Sequence, residues 1–211
     1  MSCDHVNGSC AESCKDGWEG DKCDQKCEEM KYGNKCQHSC GHCVNGEICN
    51  QVTGVCSNGC ATGWKGNVCD EECDPGYFGS LCQDTCSEHC INPMSCDHVN
   101  GSCDDGCKDG WIGSKCIEQC EKYFYGKDCE NHCGHCSEGE FCNHVTGECP
   151  NGCASGWTTD ICSQECDPGY YGLMCKDQCS PHCLDSMSCD HVSGSCDGGC
   201  KDGWIGAKCR D

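Results

Sequence analysis

The sequence predicts a small disulfide-rich protein made of tandem modules, with short β-hairpins, little helix and an elongated, rod-like arrangement. Three observations predict it: the cysteine content, the poverty of large apolar residues, and a repeat that runs the whole length of the chain. The chain holds 36 Cys among 211 residues, far above the level at which a disulfide scaffold becomes the default reading. An even number of cysteines at recurring spacings is the mark of a disulfide framework. Such a framework persists only in an oxidising compartment, which places the protein outside the cell or on a secretory route.

The second observation concerns the core. Three Leu, six Ile, eight Val and three Phe together make up under a tenth of the residues. Combined with a net charge of −21, that composition ordinarily leaves a chain disordered, because it cannot bury enough apolar surface to offset the entropy of ordering. Cross-links must take over. Closing a ten-residue loop removes roughly 2–3 kcal/mol of unfolded-state entropy, and several such loops per module hold a fold that burial alone would not.

The third observation is the repeat, which is read before any local signal. Met94-Ser95-Cys96-Asp97-His98-Val99-Asn100-Gly101-Ser102-Cys103 recurs from Met1 and from Met187, an offset of 93 residues each time. Residues 94–116 and 187–209 agree at 20 of 23 positions, differing at Asn100/Ser193, Asp105/Gly198 and Ser114/Ala207. Each unit holds two modules of 46–47 residues with eight Cys apiece. One type runs Cys86-x3-Cys90-x5-Cys96-x6-Cys103-x3-Cys107-x8-Cys116-x3-Cys120-x8-Cys129; the other begins Cys40-x2-Cys43 and continues in the same rhythm to Cys82. The expected modules are 1–36 (partial), 37–82, 83–129, 130–175 and 176–211 (incomplete). Only three residues join one module to the next (Gln83-Asp84-Thr85), which leaves little slack between them. Because Met1 falls in mid-repeat, the chain reads as a piece of a longer array.

The x8 loops carry Gly-aromatic-x-Gly, as in Cys73-Asp-Pro-Gly-Tyr-Phe-Gly-Ser-Leu-Cys82. Glycine supplies the positive φ that tight turns need, and the aromatic is one of the few large apolar groups able to lie against a disulfide or the next module. The Trp set (Trp18, Trp64, Trp111, Trp157, Trp204) and the six Tyr in these loops read as packing residues. The ten His read as residues of solvated loops.

At these residues the chain resembles the EGF-like family. Cys-x2-Gly-[Trp/Tyr]-x-Gly-x2-Cys, at Cys73 to Cys82 and Cys166 to Cys175, looks like the last loop of an EGF-like domain. The eight-Cys pattern is similar to laminin-type EGF modules and to multiple-EGF-domain engulfment receptors, although the first loop is longer here than in laminin modules. Repeat uniformity and acidity also resemble the tandem EGF-like byssal proteins of scallops. The resemblance implies the pairings Cys40–Cys49, Cys43–Cys56, Cys60–Cys69 and Cys73–Cys82, with the same scheme in every later module, and Cys14–Cys23 and Cys27–Cys36 in the first. It leaves Cys3 and Cys10 over: they pair with each other, bond to another chain, or stay free. An intermolecular disulfide would start there.

Two cysteine motifs invite a chemical reading. Cys40-Gly-His-Cys43 and Cys133-Gly-His-Cys136 match a disulfide-isomerase tetrapeptide, but that chemistry needs a helix N-terminus to lower the thiol pKa, and no βαβ pattern surrounds either copy. Zinc bound by these cysteines with His38, His42, His132 or His135 conflicts with the position of all 36 Cys on one periodic ladder. Both motifs are therefore read as structural disulfides. No nucleophile elbow, HExxH or phosphate loop is present, so no enzymatic activity is expected.

Calcium is the cofactor the composition favours. With 35 Asp plus Glu against 14 Lys plus Arg, the chain should repel nucleic acid and attract hard cations or basic surfaces. The acidic residues that precede the first Cys in calcium-binding EGF modules are absent: Gln37-His38-Ser39 and Glu130-Asn131-His132 stand there. The candidate ligands are instead Glu72, Asp74, Asp97, Asn100, Asp109, Glu165 and Asp167. Asn7-Gly8-Ser9 and Asn100-Gly101-Ser102 are N-glycosylation sequons, and Ser193 removes the third copy. No apolar run reaches transmembrane length, and no signal peptide opens the chain.

The functional expectation is a secreted structural protein of the extracellular matrix or of a fibre such as byssus, load-bearing and self-associating with like chains, its assembly assisted by calcium. The alternative is the ectodomain stalk of a multiple-EGF-domain engulfment or scavenger receptor.

Overall fold

The computed structural model describes residue 10 and residues 14–211. The chain divides into two compact units, Met1–Gly106 and Cys107–Asp211, and each is described by itself. Each x8 loop from Cys14–Cys23 to Cys166–Cys175 supplies the first strand of a two-residue hairpin, and the three residues after its closing cysteine supply the second. In the first unit β1 (Trp18–Glu19) pairs with β2 (Gln25–Lys26) and β3 (Lys31–Tyr32) with β4 (His38–Ser39). There too β5 (Trp64–Lys65) pairs with β6 (Glu71–Glu72) and β7 (Tyr77–Phe78) with β8 (Asp84–Thr85). In the second unit β9 (Trp111–Ile112) pairs with β10 (Glu118–Gln119) and β11 (Phe124–Tyr125) with β12 (Asn131–His132). It also pairs β13 (Trp157–Thr158) with β14 (Gln164–Glu165) and β15 (Tyr170–Tyr171) with β16 (Asp177–Gln178). All are antiparallel.

Two residues per strand would not hold a hairpin in water. The loop geometry does it. Gly63 and Gly66 take φ of 89° and 87° at either end of β5, and the Cys60–Cys69 disulfide closes the loop. The second x8 loop of a module adds a single 3-10 turn, such as Ser80–Cys82, in which Leu81 and Cys82 both take left-handed φ (56° and 54°). Together with the 3-10 turns Val44–Gly46 and Ser137–Gly139, which follow Cys43 and Cys136, these are the whole of the helical content among the described residues.

Seventeen disulfides are described, and they follow the pairing that the family resemblance implied in every module. They are also the core. In the module 37–82, Cys43, Cys49, Cys56 and Cys69 form a buried cluster against which Tyr32, Cys40 and Cys60 pack. Among the described residues, the buried ones other than cysteines and glycines are Tyr171 and Ser180. Ser180 is satisfied: its hydroxyl donates to the Cys209 carbonyl at 3.2 Å and accepts the His182 amide at 3.2 Å. The chain has thus replaced an aliphatic core with sulfur, as its composition required. The fold class is the one read from the sequence: small, disulfide-rich, hairpin-built and repeated, consistent with tandem EGF-like modules.

Candidate functional site: the seams between modules

The recurrent geometry that could carry function lies where one module meets the next. Consider the seam after Cys82. The Gly63 amide donates to the Gly79 carbonyl at 2.9 Å, and the Gly79 amide donates to the His98 carbonyl of the following module at 3.0 Å. Beside this ladder the Phe78 ring lies flat on Gly101, where a Cβ would sit 2.5 Å from ring atoms. The same seam occurs earlier in the first unit, with Tyr32 on Gly54 and the Gly33 amide on the Gln51 carbonyl. In the second unit it recurs twice. Tyr125 lies on Gly147 with the Gly126 amide on His144, and Tyr171 lies on Gly194 with the Gly172 amide on His191. The aromatic that directly precedes the glycine of each second x8 loop (Tyr32, Phe78, Tyr125, Tyr171) therefore faces the next module, whereas Tyr77, Tyr123 and Tyr170, expected to pack, are exposed.

The receiving surface is the x6 loop, and an Asx turn shapes it. Asp97 Oδ1 accepts the Val99 and Asn100 amides at 3.1 and 2.8 Å. Asn50 and Asn143 do the same for Val52 and Thr53, and for Val145 and Thr146. In the last module Asp190 accepts both the Ser193 hydroxyl, at 2.6 Å, and the Ser193 amide, at 2.7 Å. These donors, the hydroxyl first, lower the Asp190 pKa below its ordinary value, because they favour the charged carboxylate.

Two of these seams also hold a tryptophan between two histidines. His42 stacks on Trp64 with ring centroids 3.6 Å apart, and His98 of the next module meets the same indole edge-on at 5.4 Å. Glu72 Oε2 stands 3.9 Å from His98 Nδ1. In the second unit His135 stacks on Trp157 at 3.5 Å, His191 meets it edge-on at 5.4 Å, and Glu165 Oε2 stands 3.8 Å from His191 Nδ1. Sequence reasoning assigned the histidines to solvated loops and missed this. A signal was present: a His directly precedes the second Cys of the modules 37–82, 83–129, 130–175 and 176–211 (His42, His89, His135, His182), and each has a Trp at a constant distance downstream.

The same contacts explain the Cys-Gly-His-Cys motif. Its two cysteines bond to different partners, Cys40 to Cys49 and Cys43 to Cys56. Gly41 lets the backbone pass so close to the next loop that a Cβ would meet the Val68 carbonyl oxygen at 2.1 Å. The His42 amide then donates to the Cys69 carbonyl at 2.8 Å. The motif is a packing device.

The candidate calcium ligands are dispersed among these contacts. Glu72 and Glu165 face histidines, and Asp74 is paired with Lys65. Asp97 and Asn100 share one turn, where Asn100 Oδ1 accepts the Ser102 amide at 2.7 Å and the Ser102 hydroxyl at 2.5 Å. Asp109 and Asp167 are exposed. Of the seven, the structure brings only Asp97 and Asn100 together. In the second unit, the described residues that place three metal-type ligand atoms within 4.8 Å of one another are Cys183, Cys196 and Cys209, all of them spent in disulfides. Cys3 lies outside the described residues and Cys10 is disulfide-bonded; the expectation of an intermolecular bond at this pair falls on a segment outside the description.

No helix among the described residues is long and apolar enough to cross a membrane. No family model matches the chain, and no curated protein matches it.

Proposed function

We propose that this is a load-bearing structural protein of the extracellular space, whose like chains associate with calcium bridging their acidic surfaces. Repeated disulfide-rich hairpin modules mark an extracellular repeat protein. The observation that carries the finer reading is the seam, where the same aromatic-on-glycine contact and amide ladder recur at Gly54, Gly101, Gly147 and Gly194. A chain whose every described x8 loop is closed by a disulfide yields little length under tension, since the residues inside a closed loop cannot extend. Uniform seams then distribute load over equivalent contacts. The charge of −21 opposes close approach of like chains, and a divalent cation with oxygen ligands removes that opposition.

Two measurements test this. Pulled from its ends, the oxidised chain should release only a small part of the roughly 3.5 Å per residue that the reduced chain releases. Full extension without reduction would end the load-bearing reading. Light scattering of the oxidised chain during a calcium titration should show growth that a chelator reverses. A constant size would remove calcium and favour the receptor-stalk alternative.

A further inference from the structure

We propose that Asn100 is an N-glycosylated residue, carrying its glycan on the flank of the seam between the module 37–82 and the one that follows it. The proposal rests on the extracellular reading, since the modification is made on the secretory route.

Asn100 opens one of the two Asn-x-Ser runs in the chain; the other, at Asn7, lies outside the described residues. Elsewhere an asparagine is followed two residues on by Cys, Glu, Val or, past a proline, Met. The local geometry at Asn100 fits the modification on three counts. The side chain is exposed. Its Oδ1 is fully engaged, accepting both the amide and the hydroxyl of Ser102. That pair of bonds pins the amide plane and turns Nδ2, which makes no hydrogen bond among the described residues, toward solvent. The turn is local, spanning three residues, so the chain forms it before its disulfides close.

Other loops of the same shape do not offer this group. Asn50 and Asn143 sit at the head of their turns with Oδ1 on backbone amides, and neither begins a sequon. Ser193 replaces Asn100 in the last repeat and spends its hydroxyl on Asp190. The neighbouring Gly101 is covered by Phe78, so a glycan on Asn100 stands beside the seam without entering it.

The step is a group transfer. The Asn100 amide nitrogen attacks the anomeric carbon of a lipid-linked oligosaccharide pyrophosphate. The N–C bond forms, the C–O bond to the pyrophosphate breaks, and the lipid pyrophosphate leaves with the electron pair. The amide proton passes to a base of the transferase.

The test expresses the chain behind a signal peptide in insect cells and recovers it from both medium and cells. Peptide-N-glycosidase digestion in heavy-oxygen water, followed by peptide mass analysis, should convert Asn100 to labelled Asp. The conversion should vanish in Asn100→Gln and in Ser102→Ala. The variant Ser193→Asn, which restores the sequon, should gain one further glycan. An oxidised, secreted chain with Asn100 unmodified overturns the proposal and leaves the extracellular reading standing. A chain glycosylated yet held in the cell with reduced cysteines supports the proposal and counts against that reading.

Discussion

Gly101 has a φ of 79° and an aromatic ring where its Cβ would be, whereas Gly59 has a φ of 89° and open space there. The pair separates two costs at the scale of one residue. Gly59→Ala meets only the left-handed backbone penalty of about 1–2 kcal/mol. Gly101→Ala adds overpacking against Phe78, a further 1–3 kcal/mol or so. Thermal unfolding of the oxidised variants should rank them in that order. Leu81 makes the opposite case: its φ is 56° and it is 67% exposed, so Leu81→Gly relieves strain and forfeits little packing. A net gain of about 0.5 kcal/mol is expected after the greater freedom of glycine in the unfolded chain is counted.

Asp190 gives a pH prediction of definite sign. Its folded pKa is lowered by Ser193, so its contribution is fully present above the ordinary carboxylate range and is lost as pH falls through the folded value. The protection of the Ser193 amide against hydrogen exchange, measured relative to its intrinsic rate, should fall as pH drops through the folded value. The Val145 and Thr146 amides, held by the untitratable Asn143, should show no such step.

At the scale of elements, the hairpins are too short to be stable units, so their energy lies in what the aromatics touch. Trp157 is sandwiched by His135 and His191. Trp157→Ala should therefore cost about 2–3 kcal/mol and His135→Ala about 1 kcal/mol, with strong coupling between them in a double-mutant cycle. Additive effects would mean that the stacked rings contribute no coupling of their own. The Gly-aromatic-x-Gly signal was legible in the sequence because it recurs in fixed register between cysteines. Its partner was not. Nothing in the local pattern of Cys96 to Cys103 says that Gly101 receives a ring from another module, since that glycine also satisfies the turn by itself.

For the whole molecule, the sulfur core makes stability a redox property. With the buried positions held almost entirely by cystine, reduction should abolish the hairpins together, and near-ultraviolet circular dichroism of the tryptophans should collapse in one transition per unit. Of the candidate calcium residues, the structure joins only Asp97 and Asn100, within one turn. Of the others, Glu72 and Glu165, each the second residue of a strand, face histidines, and Asp74, just past a strand, pairs with Lys65.

The family resemblance supplied the cysteine pairing, and the sequence by itself determined the cysteine ladder, the module rhythm and the absence of a large aliphatic core. Each is a consequence of counts and spacings, which fix loop lengths and cap the apolar area available for burial. Only the tertiary structure decided that the modules meet through aromatic rings on glycines and through tryptophans held between histidines. Those contacts join residues about 22 to 56 positions apart, such as Phe78 to Gly101 and His42 to His98 through Trp64. Their pairing depends on how one closed loop is set against another, a choice that no local periodicity encodes.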